Sequence, residues 1–230
     1  MKVSIKKVRQ GIAAAFPYTV PILFGWIFVA LTYGVLMNEL GYNAWWTMLF
    51  SAVCYCGGMQ IAAIPIIAAG FDPLQMFLVS YLVNFRHTFY GVPLLEKFRE
   101  TKPFKPFLVY WLCDEEFSLC VSEKTPDGME NRYFFFGIGI LCYLYWICLS
   151  GLGTVIGSLI SFDTTGIDFA LNALFVVLFL QQWKEKQNRL ACIIGIAVTL
   201  ISRIIFGSSI FLIPALLGML LIFWLGRNKI

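Results

Sequence analysis

The chain has 230 residues, of which 60% are apolar or aromatic and only 13% charged, with a formal net charge of +4 and a mean hydropathy of +0.79. A soluble domain carries about 25% charged residues, so this composition excludes a water-covered globule and leaves lipid as the solvent that apolar side chains can face. One helical span takes roughly 20 apolar residues, so the chain has room for about six to eight membrane segments. The expectation is all-α: a polytopic membrane helical bundle forming a single integral domain over 1–230, with a possible two-half organisation over about 9–121 and 130–230.

The first element follows Lys2, Lys6, Lys7 and Arg9. Its apolar run from Phe16 to Met37 is too long for a signal-peptide core, and no small-residue cleavage site follows it. It reads as a retained first span with a cytoplasmic N-terminus. Further apolar segments fall at about 44–69, 73–95, 106–121, 133–160, 167–183, 190–206 and 209–226. Trp45, Trp46, Trp183 and Trp224 stand near segment ends, where interfacial anchors belong.

Three segments depart from simple spans. Segment 44–69 is interrupted by Cys54-Tyr-Cys-Gly-Gly-Met-Gln60 and by Pro65, and paired glycines and proline both weaken a helix. Segment 106–121 is short and ends in Asp114-Glu115-Glu116. Segment 133–160 is too long for one upright span and carries Gly151, Gly153 and Gly157, which mark a further possible break.

Positive charge tests the topology. Lysine and arginine cluster at 2–9, 97–105, 184–189 and the C-terminus, whereas 38–43, 70–72, 161–166 and 207–208 have none. If every segment crossed once, the 97–105 cluster would fall outside, against the positive-inside rule. Parity is restored if 44–69 enters and returns as a broken hairpin and 106–121 also fails to cross. Broken or re-entrant helices are thus expected at two sequence-defined places, where irregular backbone must line a cavity or be covered by protein.

The seven cysteines lie almost wholly within apolar segments and read as small buried hydrophobes. Cys54, Cys56 and Met59 are a weak soft-metal pattern without a histidine at zinc-finger spacing. Asp72 and Asp168 each open an apolar segment. That is either a trace of two related halves or two ordinary helix caps.

Three constellations carry chemistry. Gly57-Gly58-Met59-Gln60 either exposes backbone groups able to bind an amino acid's charged ends or is a small-residue packing site. Asn84-Phe85-Arg86-His87 holds the lone histidine and an arginine within an apolar segment. On a continuous helix Asn84, His87 and Gly91 would share a face. Arg86 either snorkels towards the 97–105 cluster or serves a substrate or proton path with His87. Asp114, Glu115 and Glu116 are either a solvated segment end or half-buried carboxyls able to carry a proton.

Together, Gly-Gly-Met-Gln-Ile-Ala-Ala, Asn-Phe-Arg-His-Thr-Phe-Tyr-Gly and Cys-Asp-Glu-Glu-Phe resemble the AzlC family of large permease subunits of branched-chain amino acid exporters. The opening Arg9-Gln-Gly-Ile-Ala-Ala-Ala-Phe-Pro17 is similar to that family's first segment, and the resemblance runs over about 9–120 with motifs and more loosely to 226. Gly58-Met59 and Cys113 depart from it, the latter where threonine is common. The resemblance implies a multi-pass protein of the cytoplasmic (inner) membrane that exports branched-chain and other hydrophobic amino acids, with a small hydrophobic AzlD-type membrane subunit as partner.

The expected substrate-binding residues are Gly57, Gly58, Gln60 and Asn84; the expected gating or proton-path residues are Arg86, His87, Asp114 and Glu115. Proton coupling follows from the groups there that can titrate. No cofactor, metal, catalytic residue or nucleic-acid partner is expected. The competing readings are a transporter or channel for another small solute, an intramembrane enzyme using His87 with a carboxylate, and a non-transporting receptor or structural subunit. No phosphate-binding Walker pattern is present to make the chain itself an ATPase.

Overall fold

The computed structural model describes residues 3–85, 87–159, 176, 179–180, 183–184, 186, 189–211, 214–215, 217–219 and 221–222. The chain forms two compact units, Met1–Asp163 and Thr164–Ile230. Among the described residues all regular structure is helical, as a membrane bundle requires.

The frame of the first unit is a pair of long helices, α1 (Ile5–Glu39) and α8 (Asn131–Leu159). Their 35 and 29 residues give lengths of roughly 52 and 44 Å at 1.5 Å per residue. Both are long and apolar enough to cross a membrane. They run in the same direction: Lys7 pairs with Glu130 near their starts, and Thr154 donates to the Gly34 carbonyl near their ends. Glycine permits their close approach. A Cβ on Gly34 would lie 2.1 Å from the Ser150 carbonyl oxygen, and one on Gly153 would lie 2.3 Å from that of Leu31. Gly153 and Gly157 therefore seat α8 against α1, Gly151 lies against Met48, and none of the three breaks the helix, contrary to the expectation from their number.

The segment 44–69 divides into α2 (Ala44–Val53) and α3 (Gly57–Ala68). Asn43 starts α2 by accepting from the Trp46 amide, and the helix descends α8 from Thr154, bonded to Thr47, to Tyr143, bonded to the Ala52 carbonyl. The chain then reverses. Gln60 Nε2 donates to Ser51 Oγ at 3.1 Å, whereas nine residues of continuous helix would separate them by about 13.5 Å along the axis. This is the broken hairpin that charge parity required.

Asp72 caps α4 (Pro73–Asn84), accepting from the amides of Leu74 and Gln75, with Pro73 in the first turn where its missing N–H is harmless. The helix is interrupted after Asn84 and resumes as α5 (His87–Leu94). Asn84 thus closes α4 and His87 opens α5, and both line the cavity described below.

The segment 106–121 is a second hairpin, α6 (Lys105–Tyr110) followed by α7 (Asp114–Ser122). Phe104 packs on Tyr133 and Phe136 near the start of α8, and Trp111 packs on Tyr143 further along it. The return leg ends where Lys97 donates to the carbonyls of Cys120, Val121 and Glu123. Lys97 also lies over the Phe135 ring. The 97–105 cluster and the N-terminal basic segment thus sit at the same end of the unit, beside the first turns of α8. The two hairpins enter from opposite ends and meet.

In the second unit α9 (Arg189–Ile210) has an apolar stretch over Arg189–Gly207 of spanning length and a non-helical Gly207 at φ 73°. Ser202 donates to the Phe211 carbonyl beyond that kink, and Arg203 lies over the Phe211 ring. Asp168 and Trp224, most of segment 167–183 and part of 209–226 lie outside the described residues.

Candidate functional site

Three helix breaks converge in the first unit: 54–56 between α2 and α3, the step between Asn84 at the end of α4 and His87 at the start of α5, and 111–113 between α6 and α7. Each coincides with one of the three sequence constellations. Side chains tie the breaks together. Tyr110, ending α6, donates to the carbonyls of Ala52 and Val53. The Cys56 thiol donates to Asn84 Oδ1 at 2.9 Å. The Tyr55 hydroxyl donates to Glu116 Oε1 at 2.9 Å.

An interrupted helix leaves its last carbonyls and first amides without partners in the helix. The hydroxyls of Tyr110 and Tyr143 answer the carbonyls at the end of α2. At the start of α7, Glu116 Oε2 accepts from the Cys113 amide. Asp114, Glu115 and Glu116 all lie in that first turn, where negative charge suits the helix dipole.

Beside the breaks lies a mostly apolar cavity of about 1000 Å³, at the upper end of the roughly 300–1,000 Å³ usual for small-molecule sites. Its polar wall includes Cys54, Tyr55, Cys56, Gln60, Asn84, His87 and Tyr110; Met37, Trp46, Leu49, Met59 and Ile67 are among its apolar members. The wall thus takes residues from all three breaks.

Gly57 and Gly58 open α3 beside this cavity. Gly57 lies against the Trp146 ring, where an added Cβ would come within 2.6 Å of the indole. Gln60 lines the cavity but is only 1% exposed. Its amide donates to Tyr33 and Ser51 and accepts from Trp146 Nε1 at 2.6 Å. Both of its N–H groups are used within the protein, so the side chain fixes α3 against α1, α2 and α8.

His87 and Asp114 face each other at 3.6 Å, Nε2 to Oδ1, with side chains 26% and 39% exposed. Tyr90 donates to the same Asp114 oxygen, stacks on Phe117 and meets His87 edge to face. Glu115 accepts from the Cys113 thiol and is exposed. Arg86 lies outside the described residues. The structure therefore brings Gly57, Gln60, Asn84 and His87 to one region and joins Asp114 to His87.

Of the acidic run 114–116, the residue left out of the expected site is Glu116. It is 2% exposed and joins the two hairpins through Tyr55. The available signal was its place three residues after Cys113, the spacing by which a carboxylate caps a helix start.

The family model described as AzlC protein matches residues 21–160. The branched-chain amino acid transport protein AzlC of Bacillus subtilis (strain 168) is 35% identical over 93% of this chain and 84% of its own length. A Helicobacter pylori (strain ATCC 700392 / 26695) protein bearing the name uncharacterized membrane protein is 35% identical over 94% of this chain and 95% of its own. The Escherichia coli (strain K12) inner membrane protein YgaZ is 25% identical over 85% of this chain and 80% of its own. No solved structure matches the chain. With a family model covering more than half of it and a relative of this identity along most of its length, the chain belongs to the AzlC family, a family of membrane transport proteins.

Proposed function

We propose that this chain is the large subunit of a secondary transporter that exports branched-chain and other hydrophobic amino acids across the cytoplasmic membrane, together with a small hydrophobic AzlD-type subunit. The observation that carries this reading is the convergence of three helix breaks on one largely apolar cavity. An amino acid needs donors for its carboxylate, acceptors for its ammonium and an apolar wall for its side chain. The start of α3 at Gly57 and Gly58 offers amide donors and the positive end of a helix dipole. Asn84 adds a polar group, and Met37, Leu49, Met59 and Ile67 suit a branched side chain. Gln60 supports the site by holding α3 in place.

In this reading Arg86, His87, Asp114 and Glu115 gate the site or move a coupling proton, and the role is not enzymatic. The shared end of the two basic clusters is cytoplasmic by the positive-inside rule. Export then requires two access states for which substrate and proton have different affinities.

The test is efflux of labelled valine, leucine and methionine from vesicles holding this chain with and without the small subunit. Saturable efflux that depends on both chains is expected. Absence of flux for all three, with both chains inserted, removes the reading; non-saturable flux assigns a channel instead.

A further inference from the structure

Glu116 belongs to the acidic run but not to the gating residues singled out from it, yet it is the carboxyl sealed most completely in the first unit's hairpin junction. It is 2% exposed. Oε1 accepts from Tyr55, at the α2–α3 break, and Oε2 accepts from the Cys113 amide, at the α6–α7 break. Its titratable neighbours are Tyr55, Cys113 and Glu115 at the breaks, Cys120 on α7 and Cys142 on α8. Lys97 lies further along, engaged with carbonyls at the end of α7. Among the described residues no cation pairs with Glu116.

A buried carboxylate without a counter-charge is costly, and two neutral donors offset only part of that cost. The neutral acid has no such difficulty: Oε2 still accepts from the Cys113 amide, and the acid O–H donates to the Tyr55 oxygen in place of the reverse bond. Tyr55 lines the cavity and its hydroxyl donates to Glu116, so this one side chain joins the cavity wall to the carboxyl.

Resting on the transport reading and deepening it, we propose that Glu116 holds the coupling proton, received from the cavity through Tyr55, and that its proton governs whether the two hairpins stay joined. The transfer balances. A hydronium in the cavity gives a proton to the Tyr55 oxygen as the Tyr55 O–H proton passes to Glu116 Oε1. Water is released, the carboxylate becomes a neutral acid, and Tyr55 ends unchanged. Loss of the proton leaves a carboxylate that needs water, and water reaches it only if the hairpin tips part. Each protonation state thereby favours a different arrangement of the cavity wall, which is the differential interaction that coupling requires.

The experiment uses liposomes containing the wild-type chain with its small partner subunit, E116Q with the same partner, and E116D with the same partner. Two fluxes of labelled leucine are read: exchange at equal concentrations, and accumulation driven by a pH gradient. Glutamine mimics the neutral acid. E116Q is expected to keep exchange within about twofold of wild type, to lose the pH dependence of exchange between about pH 5 and 8, and to lose gradient-driven accumulation by at least about tenfold. E116D, still ionisable, is expected to regain part of the pH dependence.

Gradient-driven accumulation by E116Q at the wild-type level overturns the proposal. Loss of exchange together with accumulation in E116Q, at a normal membrane level, also overturns it and assigns Glu116 to capping alone. Exchange by E116D without any pH dependence overturns it as well. Absence of leucine flux in the wild-type liposomes is a different failure, that of the transport reading itself.

Discussion

The hydroxyl of Tyr110, on the hairpin entering from one end, is shared between the carbonyls of Ala52 and Val53 at the tip of the hairpin entering from the other, at 2.5 and 2.7 Å. Tyr143 on α8 donates to the same Ala52 oxygen at 3.0 Å. Two phenols thus satisfy the carbonyls that the break after α2 exposes. Tyr110→Phe and Tyr143→Phe should each destabilise by about 0.5–1.5 kcal/mol. The double variant should lose more than their sum, because Ala52 then loses both donors. Unfolding in detergent measures the cycle, and strict additivity would refute the shared-acceptor account.

Gln60 holds three buried partners at once, Tyr33, Ser51 and Trp146. Gln60→Leu keeps volume but strands the indole N–H and two hydroxyls. The expected loss is about 2 kcal/mol or more, since each stranded buried group costs roughly 1–3 kcal/mol. A melting temperature unchanged from wild type would show that the hub contributes no net stability.

Close approach separates Gly34 from Gly25. A Cβ at Gly34 meets the α8 backbone, whereas one at Gly25 meets nothing within 4 Å. Gly34→Ala is expected to reduce stability by at least about 2 kcal/mol through forced separation of α1 and α8. Gly25→Ala should be neutral or stabilising by up to about 1 kcal/mol, as alanine is the better helix former. Equal effects at the two positions would contradict the packing described for α1.

At the proposed substrate site, Gly57→Ala places a methyl against Trp146, which is itself wedged by Trp26, Tyr33 and Gln60. The start of α3 must move, by an ångström or so, and misplacement on that scale can weaken function by about 100-fold. Leucine efflux should fall at least tenfold, about 1.4 kcal/mol, while membrane level stays normal. Wild-type kinetics in that variant would remove the α3 start from the binding site.

Glu130 lies outside the spans, and the hydrogen bond from Lys7, reinforced by Arg132, holds its carboxyl below the ordinary value of 4.5. A lowered carboxyl contributes stability above its unfolded value and loses it as pH falls through the folded value. The stability difference between wild type and Lys7→Ala should therefore be present at neutral pH and be lost as pH falls below the ordinary value of 4.5 and through the lowered folded one. Denaturation midpoints across pH measure it; a difference that persists in acid would show that Lys7 acts through packing.

Part of the site was legible because a broken helix leaves a local mark. The Gly57-Gly58 pair, the polar run from Asn84 to His87 and the acids at 114–116 each stand out from apolar surroundings. Each marks one of the three breaks. The glycines of 133–160 misled because glycine signals a break and a close helix contact alike; only the α1 backbone beside Gly153 distinguishes them. Of three consecutive acids, the sequence favoured Asp114 and Glu115. Successive residues on a helix point about 100° apart, so which one is sealed depends on where Tyr55 lies, 61 residues away.

Composition by itself determined the membrane bundle, since a chain with 13% charged residues cannot cover itself in water. The placement of lysine and arginine by itself required two segments to turn back, because charge must collect at one face. Only the tertiary structure decided that those two hairpins meet, that Gln60 supports the site through Tyr33, Ser51 and Trp146, and that Glu116 is the carboxyl enclosed between them. Such contacts join residues far apart in the chain, and no local periodicity encodes which distant side chain completes a hydrogen bond.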